Sequence, residues 1–294
     1  MQKIDHIVVA LRDLAKTAAA YERLGFTLTP RAEHPPSMGT ANRLAQFAGR
    51  NFIELLEVDR PAGQIPFDLT QQPPRFGFGV QNRRFLERRQ GISMLVLASD
   101  DARGDLARVT ASGATTYAPV DFERRARLPD GQEVTVAFSL AFARDTLAPG
   151  TSFAVCQQHY PENFWNSDFQ KHANGAIGIA GVVMVAENPT DHHIFLSAFA
   201  GERALQSTSS GITIATPRGD IQVMDAAAFE NHFADRAPDA GNGARLAALR
   251  FRVRQLPVAA SALHASGIGF AERIGRIVVP AETAMGATIV FEPA

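Results

Sequence analysis

The sequence is poor in cysteine, in net charge and in long apolar runs. Cys156 is its single cysteine, which excludes an intrachain disulfide and any zinc or iron–sulfur site built from several cysteines. Basic residues number 29 and acidic residues 30, so no overall field attracts nucleic acid or an anionic membrane. No apolar run approaches the roughly 20 residues that span a bilayer, and the first residues lack the apolar core of a signal peptide. We therefore expect a cytoplasmic protein without nucleic-acid or membrane partners.

Several catalytic motifs are also missing. The chain contains no glycine-rich phosphate loop, no Gly-x-Ser-x-Gly elbow and no His-Glu-x-x-His helix. What it has is length and apolar content, with 294 residues of which 46% are hydrophobic. This exceeds the usual range of a single domain, so two compact domains are expected.

The first 58 residues follow a regular order of strands and a helix. A β-branched run at 4–11 predicts a buried strand, and Asp13 can cap a helix with apolar positions at Leu14, Ala18 and Tyr21. Gly25 ends that helix. Further strands are predicted at 26–30, from residue 41 and from residue 51, so the unit reads βαβββ.

The same order recurs three more times along the chain. The segments "GISMLVLASDDARGDLARVTASGATTYAP", "GIAGVVMVAENPTDHHIFLSAFAGERAL" and "RLAALRFRVRQLPVAASALHASGIGF" each repeat it, and Met94, Gly181 and Ala248 take the register of His6. The stretch at 161–177 lacks periodicity and carries Pro, Asn and Gly. We predict an α/β (α+β) fold of four βαβββ units in two domains, residues 1–165 and 175–294.

Six motifs together resemble the glyoxalase-like proteins of the vicinal-oxygen-chelate superfamily, which includes glyoxalase I, extradiol dioxygenases and antibiotic-resistance proteins. The motifs are "IDHIVVALRDL", "HPPSMGTANRLAQF", "FIELLEV", "FGFGVQNRRFL", "FERRARLPDG" and "CQQHYPENFW". They cover most of the first 165 residues. The second half is similar to the superfamily in its repeat pattern alone.

The resemblance implies a divalent metal held in a cleft by residues from the first and fourth strands of two units. Alternate strand residues share a face, so His6 and Glu54 can meet there if their strands are neighbours. An imidazole and a carboxylate suit zinc, manganese, iron, nickel or cobalt without choosing among them. The alternative is a histidine that merely packs in the core.

The second unit offers an incomplete set of ligands. Met94 stands where the resemblance implies a His or Gln, and a thioether binds hard or borderline divalent metals poorly. Of the residues that follow Cys156, Gln157 and His159 share a strand face, and either is a candidate to complete a three-ligand site. His159 reads equally well as a loop residue at a strand end, and Cys156 reads as packing.

Other polar and aromatic residues are candidates for binding substrate. His34, Thr40 and Asn42 flank a Pro/Gly loop, and with Glu54 we assign His34 and Asn42 candidate catalytic roles. Phe76, Phe78 and Arg83 lie in a connector that can cover the cleft over an anionic or planar ligand. Arg125, in the motif "FERRARLPDG", can bind a carboxylate or phosphate. The alternatives are a simple turn for the Pro/Gly loop, a connector with a solvated face for the second group, and an ordinary surface arginine for Arg125.

By resemblance, the favoured function is metal-assisted lyase, isomerase or dioxygenase chemistry on a small oxygen-bearing substrate in the N-terminal cleft. The alternative is a protein that binds and sequesters a small aromatic or anionic molecule without catalysis, and Met94 favours it. A scaffold that acts through protein contacts alone would leave the polar cleft unexplained. The C-terminal pair, with Gly181 and Ala248 in the register of His6, is expected to hold no metal and to stabilise the first pair or pack against a second copy in a homodimer.

Overall fold

Two curled β-sheets carry the strands, one in each half of the chain. The computed structural model describes residues 2–127 and 131–294, so part of the motif "FERRARLPDG" lies outside the described residues. The first half contains β1 (Lys3–Leu11), α1 (Leu14–Arg23), β2 (Ala32–Glu33), β3 (Thr40–Gln46), β4 (Phe52–Val58), α2 (Phe78–Arg88), β5 (Gly91–Ala98), α3 (Ala102–Ala111), β6 (Thr115–Thr116), β7 (Val120–Arg127), β8 (Glu133–Arg144) and β9 (Ser152–Gln158).

The second half repeats this arrangement with shorter outer strands. It contains β10 (Ala176–Val185), α4 (His193–Ala200), β11 (Gln206–Thr208), β12 (Gly211–Thr216), β13 (Gly219–Met224), α5 (Ala226–Phe233), β14 (Arg245–Val253), α6 (Leu256–Ala265), β15 (Ala271–Arg273), β16 (Arg276–Val279) and β17 (Thr288–Pro293). Short 3-10 turns occur at Pro161–Asn163, Ser167–Gln170 and Pro189–His192.

The strand pairings confirm the paired βαβββ units. The first sheet runs β2-β3-β4-β1-β5-β9-β8-β6, with β7 paired to β8, and the second runs β11-β12-β13-β10-β14-β17-β16-β15. In the first sheet β1 is parallel to β4 and β5 to β9, whereas β1 and β5, the first strands of the two units, are antiparallel. The second sheet pairs β10, β13, β14 and β17 in the same way. This is not a doubly wound parallel sheet.

Side-chain chemistry explains where the first helices begin and end. Asp13 accepts a hydrogen bond from the Lys16 backbone N–H and so caps α1, and Asp101 caps α3 through Gly104. Gly25 follows α1 with φ of 88°, a left-handed conformation that glycine adopts without steric cost. The cap and stop predicted for α1 are confirmed.

One hydrophobic core lies between the two sheets and is shared by both halves. It combines one face of β1 and β10 with the apolar sides of α1, α3, α4 and α6. Phe26 packs on Phe251 with ring centroids 5.0 Å apart, and the Tyr21 hydroxyl donates to the carbonyl of Ala284. The chain passes from the first sheet to the second between β9 and β10. Because the two halves share this core, the domain limits at residues 165 and 175 stay a prediction.

One local prediction was wrong, and two other local features were not predicted. Residues 26–30 form no strand, since Pro30 offers no N–H for a ladder, and the short β2 follows instead. The connector at 75–90 contains helix α2. His192 is buried and its Nδ1 lies 2.6 Å from Asp145 Oδ2, so it joins the two halves. No helix of the described residues is long and apolar enough to cross a membrane.

Candidate functional site

A small buried cavity lies on the concave face of the first sheet. Its volume is about 60 Å³, room for several water molecules or part of a small ligand, since one water needs roughly 10–15 Å³ of such space. We call this cavity the pocket. It is lined by His6, His34, Met38, Asn42, Leu44, Phe52, Glu54, Phe78, Met94, Val96, Phe122, Arg124, Phe138, Leu140, Phe142, Ala154, Cys156 and Phe164.

His6 is fixed in the pocket by a neighbouring carboxylate. Its Nδ1 lies 2.7 Å from Asp5 Oδ2, and the other Asp5 oxygen accepts from Gln158 Nε2 at 3.1 Å. Asp5 and His6 are both buried, and the ring of Phe52 stacks on the imidazole with centroids 4.4 Å apart. Because the Asp5 carboxylate accepts a hydrogen bond from Nδ1–H, the imidazole lone pair lies on Nε2, which faces Glu54.

Glu54 is the buried carboxylate that lines the pocket. Strand β4 pairs with β1, so Glu54 Oε2 comes within 3.7 Å of His6 Nε2. Its other oxygen, Oε1, accepts from Asn42 Nδ2 at 2.5 Å and lies 3.5 Å from His34 Nε2. The distance to His6 is too long for a direct hydrogen bond and suits a group that contacts both side chains.

Asn42 and Thr40, on β3, hold the loop histidine in place. His34 Nδ1 lies 2.8 Å from Thr40 Oγ1, and its Nε2 lies 3.2 Å from Asn42 Nδ2. The Asn42 side-chain oxygen is buried without a hydrogen-bond partner among the described residues. An unpaired buried acceptor is costly, so this oxygen favours a ligand that donates a hydrogen bond here.

Burial changes the titration of several groups at the polar end. It lowers the pKa of His34, against the opposing effect of Glu54, so this imidazole is favoured in its neutral form. Burial also lowers the pKa of Arg124, while Glu54 again opposes the shift. The Cys156 thiol has a raised pKa because it is buried, then because of the charges of Asp5 and Glu54, so it is a packing residue rather than a nucleophile.

Aromatic rings form the rest of the wall. Phe122 and Phe138 stack with centroids 5.2 Å apart, and Phe78 and Phe122 meet the His34 ring edge-on at 5.8 and 6.0 Å. Phe164 covers one side and packs on Phe52 at 5.1 Å. The pocket therefore has one polar end and one apolar, mostly aromatic end.

Comparison with known proteins identifies the family that carries this pocket. The model of the family described as "Glyoxalase-like domain" matches residues 4–199, from β1 into α4. The chain belongs to the glyoxalase-like domain family. The predicted resemblance to this part of the vicinal-oxygen-chelate superfamily is confirmed. No curated protein sequence matched the chain.

Solved structures share the fold of this glyoxalase-like protein at low identity. A hypothetical protein from Staphylococcus aureus is 13% identical, with full coverage of both chains and a TM-score of 0.67. A mutant of 4-hydroxymandelate synthase from Streptomyces coelicolor is 13% identical, over 98% of this chain and 91% of that one, with a TM-score of 0.59. The Mn(II)-bound glyoxalase from Novosphingobium aromaticivorans is 12% identical, over 99% and 82%, with a TM-score of 0.53.

Five of the predicted site residues of the glyoxalase-like chain line the pocket: His6, His34, Asn42, Glu54 and Phe78. Thr40 lies behind them and contacts His34. The site also contains residues that the sequence did not single out, among them Asp5, Phe52, Arg124 and Phe164. A carboxylate directly before a strand histidine was the one available signal for Asp5.

The two candidate ligands from β9 lie away from the pocket. Gln157 is on the opposite face of its strand from Ala154 and Cys156, where it binds the backbone of Asp100 and Ala102 at the start of α3. His159 is exposed, beyond the end of β9, and its Nε2 lies 2.8 Å from Ser139 Oγ. Strand parity and the end of the strand therefore keep both residues from His6.

Phe76, Arg83 and Arg125 are not pocket residues either. Phe76 stacks on the back of Phe142 with centroids 4.1 Å apart, and Arg83 is exposed on α2. Arg125 faces out from β7, whereas Arg124 points inward on the same face as Phe122. The alternation of strand residues decides between the two arginines, and Phe122 was the signal that indicated the inward face.

The donor set does not fit the metal that the superfamily implies. Val8 pairs with Glu54 in the first unit, and Val96 pairs with Ala154 in the second, so the positions related to His6 and Glu54 are Met94 and Ala154. Both are apolar. Within residues 2–127 and 131–294, no three His, Cys, Asp or Glu side chains converge so as to hold an ion. Two protein ligands fall short of the usual three at a catalytic zinc site.

In the second sheet an arginine occupies the corresponding cleft. The residues in the registers of His6 and Glu54 are Gly181 and Gln222, and Arg250 lies beside them. Its guanidinium donates to both oxygens of Glu292, at 2.6 and 2.9 Å, and to Gln222 at 2.7 Å. This network satisfies its own polar atoms, so we interpret it as structural.

Larger grooves exist on the molecule, including one of about 1030 Å³ lined mainly by the second half. We place the candidate site in the smaller pocket because buried ionisable groups converge there.

Proposed function

We propose that the pocket binds one small oxygen-bearing molecule and moves a proton on it, as a lyase or isomerase does, with His6 as the general base. The observation that carries this proposal is the buried Asp5–His6 pair, whose Nε2 faces Glu54 across 3.7 Å at the polar end of an otherwise apolar pocket. Pairs of buried ionisable groups in a cavity are typical of acid–base sites.

Asp5 supports the role of His6 as a base. A carboxylate that accepts from Nδ1 fixes the tautomer in which Nε2 is unprotonated, and it stabilises the imidazolium once a proton has been taken up. Gln158 holds the second oxygen of Asp5 and thereby fixes the carboxylate. His6 is then ready to accept a proton from a C–H or O–H group placed between it and Glu54.

The walls of the pocket support a substrate with a flat apolar body and an oxygen-rich head. Phe78, Phe122 and Phe138 offer ring faces and edges to the body. Arg124, which has no carboxylate within 4 Å among the described residues, can bind an oxyanion, and Asn42 can accept a hydrogen bond through its free oxygen. The name of the hydroxymandelate synthase neighbour describes a ligand with such a ring and such a head.

The donor set gives no support to a step that runs through a bound metal, so dioxygenase chemistry is not part of the proposal. His6 and Glu54 act here through their own protons and lone pairs. The reaction that remains is proton transfer, in which His6 takes the proton and the Arg124 side of the pocket stabilises the negative charge left on the substrate oxygen.

Deuterium exchange tests this proposal directly. Pyruvate, phenylpyruvate and mandelate are incubated with protein in D2O, and proton NMR follows loss of the C–H signal next to the carbonyl or carboxylate. We expect at least one compound to exchange faster with the wild type than in buffer. His6→Gln should lower the protein-dependent rate by about 100-fold or more, and His159→Gln, which alters an exposed histidine outside the pocket, should change it less than about twofold. Equal rates for His6→Gln and wild type would overturn the proposal.

The second candidate is binding without catalysis. Met94 and Ala154 favour it, because two of the four positions at which the superfamily implies metal ligands are then apolar. Trp165, the only tryptophan, lies 6.0 Å from Phe52 and reports occupancy of the pocket by its fluorescence. Saturable quenching by one of the three compounds, with no deuterium exchange of any of them, would favour sequestration over catalysis.

A further inference from the structure

A second, larger cavity lies on the far side of the aromatic wall of the pocket. Its volume is about 530 Å³, and Phe76 separates it from the pocket by stacking on Phe142. We call this cavity the basic groove. Helix α2, the end of β8 and the residues before β9 form it, and the side chains that matter are Phe67, Arg84, Arg88, Arg89, Tyr117 and Arg144.

The groove carries positive charge without a matching carboxylate. Its lining includes four arginines and no aspartate or glutamate. In the part of the chain that the structure describes, no carboxylate lies within 4 Å of any of the four. An adjoining cavity of about 520 Å³ shares Arg88 and Arg89 and adds Arg245, which contacts the backbone carbonyl of Asp239 rather than its carboxylate.

Arg89 distinguishes the groove from an ordinary solvated surface. Its side chain is half-buried, lies over the Phe85 ring at 4.6 Å and donates to the Gly150 carbonyl at 3.4 Å. Burial is the main cause that lowers its pKa to about 10, and the positive charges of Arg245 and Arg88 contribute to the same shift. A partly desolvated arginine beside like charges is unfavourable until an anion neutralises it.

The other side of the groove is aromatic. Phe67 packs edge-on against Phe76 at 5.1 Å, and Tyr117 packs against Phe76 at 5.2 Å. The Arg84 guanidinium lies 5.4 Å from the centre of the Phe67 ring. Guanidinium groups and ring faces together recognise a ligand that is anionic at one end and flat at the other.

We propose that the basic groove binds an organic phosphate that carries at least two negative charges and a flat ring. Several guanidinium groups exceed what one carboxylate can neutralise, and a bidentate arginine matches phosphate geometry. The volume of the groove lies within the roughly 300–1,000 Å³ usual for small-molecule sites. This site is separate from the pocket and does not depend on the chemistry proposed there.

Calorimetric titration with ADP and with inorganic pyrophosphate tests the proposal. We expect saturable binding of ADP by the wild type, weakened at least tenfold in the double variant Arg88→Gln/Arg89→Gln. Arg83→Gln is the matched control, since it removes one exposed positive charge from the same helix outside the groove, and it should change the affinity less than about twofold. Phe67→Leu should weaken ADP several-fold and leave pyrophosphate unchanged.

Three results would overturn the proposal. The first is no saturable binding of either compound by the wild type at millimolar concentration. The second is equal weakening by Arg83→Gln and by the double variant, which would indicate attraction by overall charge alone. The third is an unchanged ADP affinity in Phe67→Leu, which would mean that the groove does not recognise a flat ring. Circular dichroism of each variant checks that it is folded.

Discussion

The segment 160–170 places Phe164 against one side of the pocket, and the buried Gln46 bonds this segment to the sheet. Gln46 Nε2 donates to the Phe164 carbonyl at 2.8 Å, and the Asn166 backbone N–H donates to Gln46 Oε1 at 3.0 Å. Gln46 lies on β3 and is 2% exposed, so both bonds are shielded from water. We predict that Gln46→Ala loosens this segment without unfolding the sheet.

The two lost bonds set the expected size of the effect. A hydrogen bond contributes roughly 0.5–1.5 kcal/mol net, so the pair contributes about 1–3 kcal/mol to keeping the segment closed. Because each 1.4 kcal/mol is a factor of ten, the opening equilibrium should rise about 5- to 140-fold. The sheet itself keeps its ladder, so global stability should fall by no more than the same amount.

Native-state hydrogen exchange measures the opening. The informative amides are those of Phe164 and Phe169, which donate to Pro161 and Asn166 and not to Gln46, so their exchange reports the segment rather than the deleted bond. Gln90→Ala is the control, because that side chain also accepts from a backbone N–H, in Arg12, but far from the segment. Unchanged exchange at Phe164 and Phe169, or an equal rise in the control, would refute the reasoning.

Three further outcomes are expected. His6→Ala and Glu54→Ala should each abolish ligand binding in the pocket while the chain stays folded. Glu54→Leu should raise the free energy of unfolding by about 0.5–2 kcal/mol. If thermal melts show both alanine variants unfolded, His6 is structural. Burial lowers the pKa of both His34 and His172 below 6.5 in the folded chain, so the unfolded chain binds protons more readily. The free energy of unfolding should therefore fall as pH drops below about 6.5, by up to about 1.4 kcal/mol per pH unit for each histidine. Denaturant titrations that show flat or rising stability from about pH 7 to 5 would contradict this prediction. Elemental analysis of protein purified without chelators should find well under one equivalent of zinc, manganese, iron, nickel or cobalt; a full equivalent that His6→Ala removes would contradict the two-ligand interpretation.

Local patterns in the sequence predict the repeated unit well. Strand alternation and helix caps depend on near neighbours in the chain, so α1 and its cap at Asp13 could be read directly. The repeat registers likewise indicated that Met94 takes the place of His6 in the second unit. The same alternation places His6 and Glu54 on one face once β1 and β4 are paired.

Contacts between distant segments could not be read in this way. Because Val96 pairs with Ala154, Ala154 takes the position in the second unit that Glu54 has in the first. In the same register Gln157 faces α3 instead of the pocket. Arg124, rather than Arg125, lies on the inward face of β7 and lines the pocket. Each of these depends on the register of strands far apart in sequence, where a shift of one residue reverses every side chain.

By itself, then, the sequence determined the paired βαβββ plan and the His6 and Glu54 candidates, because hydrophobic periodicity and repeats are local properties of the chain. The tertiary structure alone decided that Asp5 orients His6, that Phe164 covers the pocket and that His192 reaches Asp145 in the other half. Those contacts arise from packing that minimises exposed apolar surface and unpaired polar atoms over the whole molecule, and no short stretch of sequence contains that information.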